Sequence, residues 1–256
     1  LNYSRDFERE ADRLGLQLLE RSGFDIRAMA DFFVRLQKYG RLYESNAPGY
    51  LRTHPLTSER IADMENRIQS RPYRQITDSL DYLLVRAKLK AGEGTSRDAV
   101  TDFASQLRGH KYTSEIATRY GYAVALFLDQ NYPAAEQELQ ELRRIKAESP
   151  MIEHLAAELR NKQKDATGAL KILRAALSRY PQERALAYAL TDTLLTARQP
   201  QEALKFTQDD LLDFPGDARM HALQARAYAL LGQRVQEHRA QAEAYALQGV
   251  GARLDR

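Results

Sequence analysis

The chain has 256 residues, 43% hydrophobic and 29% charged, and its 38 basic and 35 acidic side chains leave a formal charge of +3. That balance, with no basic run interleaved with aromatics, excludes nucleic-acid binding through the usual electrostatic footprint. There is no cysteine, which removes disulfides, thiol nucleophiles and thiolate metal ligands together, and no run approaches the ~18 apolar residues of a membrane span.

The first predicted helix opens at Ser4, a residue type that caps helix N-termini. It carries an apolar stripe of Phe7, Ala11, Leu14 and Leu18 and ends near Gly23. The start at Leu1, inside this helix opening and without an initiator Met or signal sequence, reads as the beginning of a piece of a longer protein. Glu8 and Asp12 stand four residues apart, hence on one face, flanking an Ala11 for which burial is expected. A carboxylate so placed can ligate a divalent metal, and another a turn later can orient a ligating histidine. The same spacing also fits a solvated pair favoured by the helix dipole.

A second helix is predicted from Asp25 to Tyr39, with Ile26, Met29, Phe33 and Leu36 on one face and Gly40 after it. The stretch from Arg41 to Leu56 holds Pro48 and Gly49 and reads as a loop, of a length that in compact domains is usually functional. His54, near its end, has two readings. Its ring can bond a nearby backbone group at a helix start, or it can reach a metal. A third helix follows with Ile61, Met64 and Ile68 inward. Residues 1–70 thus read as the closing helices of a domain.

Beyond residue 70 a repeat takes over. The pairs Ala99/Phe103, Ala135/Leu139, Ala169/Leu173 and Ala203/Thr207 recur at intervals of 36, 34 and 34 residues, and Pro181 and Pro215 are again 34 apart. This period, with Ala in a second helix and Pro at the turn between units, is that of the tetratricopeptide repeat (TPR). Helices are predicted over 185–197 and 218–231, the latter ending at Gly232, and a more polar one over 235–247 that serves as a cap. The domain spans 71–256, with about four repeats plus the capping helix, so the fold class is all-α: the C-terminal helices of one domain, then an α-solenoid. The first helices of TPR pairs line a concave face that binds polypeptide. By position the candidates there are Tyr120, Val124, Phe127, His154, Glu158, Tyr188, Asp192 and Arg226.

The run Ser4-Arg5-Asp6-Phe7-Glu8-Arg9-Glu10-Ala11-Asp12 resembles the third-ligand motif of HtpX-like and prenyl-CAAX-type zinc endopeptidases. Thr53-His54-Pro55 followed by Glu59-Arg60-Ile61-Ala62 is similar to the segment these enzymes carry after that ligand. The resemblance implies zinc, with Glu8 as a ligand and Asp12 as the carboxylate behind it; Glu10 is neither. It gives His54 a sharper role, as a fourth ligand that fills the open position of the metal and keeps the enzyme latent. The family's other two ligands and its general base come from an H-E-x-x-H helix. None of the five histidines (His54, His110, His154, His221, His238) lies in such a motif, so this segment alone is expected not to hydrolyse peptides.

The order of motifs, the repeat tail and the closing Gly232…Glu237-x-Arg239…Glu243-x-Tyr245 resemble a periplasmic branch of the family. That likeness implies a protease and chaperone of outer-membrane protein assembly. Its partners would be unfolded or stalled envelope proteins and the assembly machinery, held in the TPR groove. The rival is a TPR scaffold that needs no metal and acts by holding partners.

Overall fold

The computed structural model describes residues 2–42, 58–69, 71 and 76–249, and every regular element among them is an α-helix. The chain divides into two compact units, residues 1–78 and 79–256.

The first unit contains α1 (Asn2–Arg21), α2 (Arg27–Leu42) and α3 (Ser58–Gln69). Its core joins Leu16, Ile26, Ala30, Phe33, Ile61, Met64 and Ile68, with Leu19 and Met29 packed against them. The predicted inward face of α3 is therefore found, and that of the second helix at Ile26, Met29 and Phe33, while Leu36 is only partly buried and outside this core. Two boundaries differ: α2 continues through Gly40 to Leu42, and Ser4 lies inside α1 instead of capping it. The stripe of α1 also differs. Phe7, Leu14 and Leu18 are 58%, 49% and 67% exposed, and Ala11 is exposed too. The inward side of α1 is instead Asp12 and Leu16, because α3 draws Asp12 inward by an ion pair described below. Gly15 lies near this seam, where an added Cβ would stand 3.6 Å from Met29 Cε. The turn out of α1 closes with Phe24 N–H donating to Leu19 O at 2.9 Å, around a left-handed Gly23 at φ 80°. His54 lies outside the described residues.

The second unit is a run of helix pairs. They are α4 (Leu80–Ala91) with α5 (Ser96–Arg108), α6 (Glu115–Leu128) with α7 (Tyr132–Arg144), and α8 (Pro150–Lys162) with α9 (Ala166–Arg179). Then come α10 (Arg184–Thr196) with α11 (Pro200–Asp213), and α12 (Ala218–Leu230) with α13 (Arg234–Leu247). Local chemistry starts them: Ser79, Thr95, Ser114, Asn131, Ser149, Asp165 and Asp217 each accept a backbone N–H at a helix N-terminus. α11 begins at Pro200, since proline's missing N–H costs nothing in the first turn.

All eight predicted anchor positions are buried. The first helices of the last four pairs carry a second small series that the sequence reading missed. Ala123, Ala157, Thr191 and Ala225 are buried at 34-residue intervals, letting paired helices approach closely. Gly121 beside the first of these is fixed by packing: a Cβ there would lie 2.5 Å from the Phe103 ring. Two apolar clusters result. One runs from Leu84 to Leu159, the other from Ala157 to Ala227, and α8 contributes to both. The closing α13 buries only Ala240 and Ala244, leaving Gln236, His238, Arg239 and Glu243 in solvent.

Candidate functional site

In the first unit, α1 presents Glu8 and Asp12 to α3, and Arg60 reaches across from α3 to both. Its Nε donates to Asp12 Oδ2 and its Nη2 to Asp12 Oδ1, each at 2.7 Å. Its Nη1 lies 2.9 Å from Glu8 Oε2. The side chains of Asp12, Arg60 and Glu8 are 6%, 10% and 19% exposed. One face of the guanidinium covers the Phe33 ring, 5.5 Å from its centroid. The predicted pairing of Glu8 with Asp12 on one face thus holds, but both are bridged by an arginine to which no role had been given. A signal for it existed. Position 60 lies four residues before Met64, on the inward side of α3, where a guanidinium requires a carboxylate partner.

The donor chemistry fits zinc in part. A carboxylate oxygen is an ordinary zinc ligand beside imidazoles, and Glu8, Asp12 and Arg60 together carry one net negative charge, which favours a cation. Among the described residues no three His, Cys, Asp or Glu side chains are grouped to hold a metal. Glu8 can be one donor of a set, not a whole set.

In the second unit a groove of about 630 Å³ is bordered by Lys88 of α4, His154 and Glu158 of α8, Asp192 of α10, and Arg219 of α12. Of the eight predicted concave-face residues, the structure brings His154, Glu158 and Asp192 together here. Arg226 borders an adjoining hollow of about 450 Å³ and pairs with Asp192 at 2.5 Å. Two predictions are corrected: Tyr120 and Val124 are 2% and 6% exposed, spent in the apolar cluster of the first repeats. Phe127 is half-buried against Tyr132, ring centroids 5.9 Å apart. Tyr188 is tied down, its hydroxyl donating to Asp217 at 2.7 Å and its ring lying 4.4 Å from the Arg219 guanidinium carbon. Lys88 and Arg219 also border the groove and were not among the predicted residues. A hydrogen bond with His154 holds the Glu158 carboxyl below the ordinary carboxylate value, against burial, which pushes it up.

Residues 1–68 match peptidase family M48, and residues 161–227 match the tetratricopeptide repeat. Over 97% of its length the chain is 31% identical to the beta-barrel assembly-enhancing protease of Yersinia pestis. Over its whole length it is 32% identical to the protein of that name from Escherichia coli (strain K12). The chain thus resembles peptidase family M48 over its first unit and the TPR over part of its second. It spans about half the length of the curated relatives it matches, 51% and 52%. Among solved structures, MamA protein superposes with a TM-score of 0.54 at 13% identity, covering 69% of this chain and 95% of MamA. A MamA RS-1 double mutant gives 0.52 at 14% identity, covering 71% and 100%. Identities that low speak for the repeat fold alone. No helix among the described residues is long and apolar enough to cross a membrane.

Proposed function

We propose that this chain is part of a zinc metalloendopeptidase of the bacterial envelope, working in the periplasm on outer-membrane proteins that are unfolded or stalled. The observation that carries this is the similarity over 97% and 100% of the chain to proteases named for beta-barrel assembly. The joint presentation of Glu8 and Asp12 by α1 supports it.

In this reading Glu8 is a zinc ligand. Asp12 acts through Arg60 to keep α1 and α3 in register beneath that ligand. Zinc, when bound, supplies Lewis-acid polarisation of the peptide carbonyl and a water acidic enough to attack it. The remaining ligands and the general base belong to an H-E-x-x-H helix that this sequence does not contain, so the segment by itself does not hydrolyse peptides. The TPR groove holds the substrate or a partner of the assembly machinery. Its lining carries both signs of charge, Lys88 and Arg219 against Glu158 and Asp192, which suits an extended polypeptide better than a uniformly charged polymer.

The test is elemental analysis of the full-length protein, wild type against Glu8→Gln, with hydrolysis of an unfolded protein substrate measured alongside. About one zinc per chain, lost together with activity in the variant, is the expected result. Wild-type protein without zinc would sink the enzyme reading and leave a TPR binding module.

A further inference from the structure

We infer that Arg60 is a positioning residue of the zinc site, the group that fixes the Glu8 carboxylate in the orientation in which it binds metal. The inference rests on the reading that Glu8 is a ligand. Arg60 itself would touch neither metal nor substrate.

The geometry argues for more than a tie between helices. A guanidinium is planar, and its two bonds to Asp12 at 2.7 Å lock that plane. Once the plane is locked, the direction of Nη1 has no freedom left, and Nη1 is the atom that meets Glu8 Oε2 at 2.9 Å. The Phe33 ring closes one face of the guanidinium. Glu8 is therefore oriented by a relay: Asp12 sets Arg60, and Arg60 sets Glu8. Fastening α1 to the rest of the unit does not require the third contact. Arg9–Glu59 at 3.5 Å and Arg71–Glu20 at 2.7 Å already link α1 to α3 and the residues after it, in solvent, without the desolvation of a further carboxylate. Drawing Glu8 into the same guanidinium serves the placement of Glu8. Charge gives a second reason. Two carboxylates one turn apart and largely out of water repel each other, and Arg60 removes that repulsion while leaving one net negative charge for a cation to meet.

Lysine cannot do this. Its ammonium is a point donor on a flexible stem and cannot hold two carboxylates in fixed planes at once. Arg60→Lys keeps the charge and discards the geometry, which separates positioning from electrostatics.

The experiment uses the full-length protein as wild type, Arg60→Lys, Asp12→Asn and Glu8→Gln. Zinc affinity is read by competition with a chromogenic chelator, and the absorption of the cobalt-substituted protein reports coordination geometry. Helical circular dichroism checks folding. Arg60→Lys is expected to weaken zinc binding about 10- to 100-fold and to shift the cobalt band, with helicity retained. Asp12→Asn, nearly isosteric, is expected to do the same to a smaller degree and serves if Arg60→Lys does not fold. Zinc affinity within about twofold of wild type in a folded variant, with an unchanged cobalt band, overturns the inference and leaves Arg60 a helix tie. A Glu8→Gln protein that still binds zinc like wild type is a separate outcome: it overturns the ligand reading itself, and the positioning role with it.

Discussion

At the start of α12 the Asp217 carboxylate accepts the Met220 N–H at 2.9 Å, the Tyr188 hydroxyl at 2.7 Å and the Arg184 Nε at 2.8 Å. Arg184 also holds Asp210 by two bonds, at 2.8 and 2.7 Å, and lies 4.1 Å from the centre of the Phe214 ring. One side chain thus caps a helix and joins α10 to the turn after α11. Burial pushes the Asp217 pKa up, but Tyr188, the Met220 N–H and Arg184 outweigh it, so the folded value lies below the ordinary 3.8. A depressed carboxylate pKa adds stability above the unfolded value, and that stability is lost as pH falls through the folded one, here below about pH 4. Asp217→Ala, which loses cap and ion pair together, is expected to cost about 2–3 kcal/mol at pH 7. Asp217→Asn keeps the cap and should cost about 1 kcal/mol less. In thermal melts the gap between wild type and Asp217→Asn should narrow from pH 7 to pH 3. A gap that stays constant would show that the charge of Asp217 contributes nothing.

The helices themselves were more legible than their joints. The anchors at 99/103, 135/139, 169/173 and 203/207 announced the second helix of four pairs, because a small residue at a crossing must recur wherever the crossing does. The turn between the two helices of a pair recurs as well, but the sequence hides it. Left-handed residues stand at Gly94, Gln130, Lys164, Arg198 and Gly232, with φ of 67°, 61°, 64°, 58° and 72°. Only the first and last are glycine, so composition could not reveal the series. The site was half legible for a similar reason. Glu8 and Asp12 could be put on one face by counting, whereas their bridge comes from Arg60, 48 residues beyond Asp12, a distance that periodicity does not reach. The α1 stripe misled because Phe7, Leu14 and Leu18 are periodic yet exposed. Periodicity finds a face without saying what covers it. The strained turns carry a prediction. A left-handed non-glycine residue costs roughly 1–2 kcal/mol, more than the chain entropy that glycine adds. Gln130→Gly and Arg198→Gly should each stabilise by about 0.5–1 kcal/mol, and Gly232→Ala should destabilise by about 1 kcal/mol. Melting temperatures would check all three, and a drop in both glycine variants would refute the account.

At the scale of the second unit the two apolar clusters matter more than any single repeat. Stacked pairs touch mainly their neighbours, so a local loss spreads outward and does not strike everywhere at once. Leu173 is fully buried in the second cluster, and Leu173→Ala should remove about 2–5 kcal/mol. Hydrogen exchange is expected to quicken first in α9 to α12 and least in α4 to α7. A uniform rise from residue 79 to 249 would mean that the solenoid opens as one body. Between the clusters stands α8, with Ile152, Leu155 and Leu159 facing one and Ala157 facing the other. His154 and Glu158 of the groove project from that same helix. In mechanical terms α8 is the node of a spring whose two halves share one coil. A polypeptide gripping those side chains would clamp the node, so flexing on either side would have to be carried against the grip.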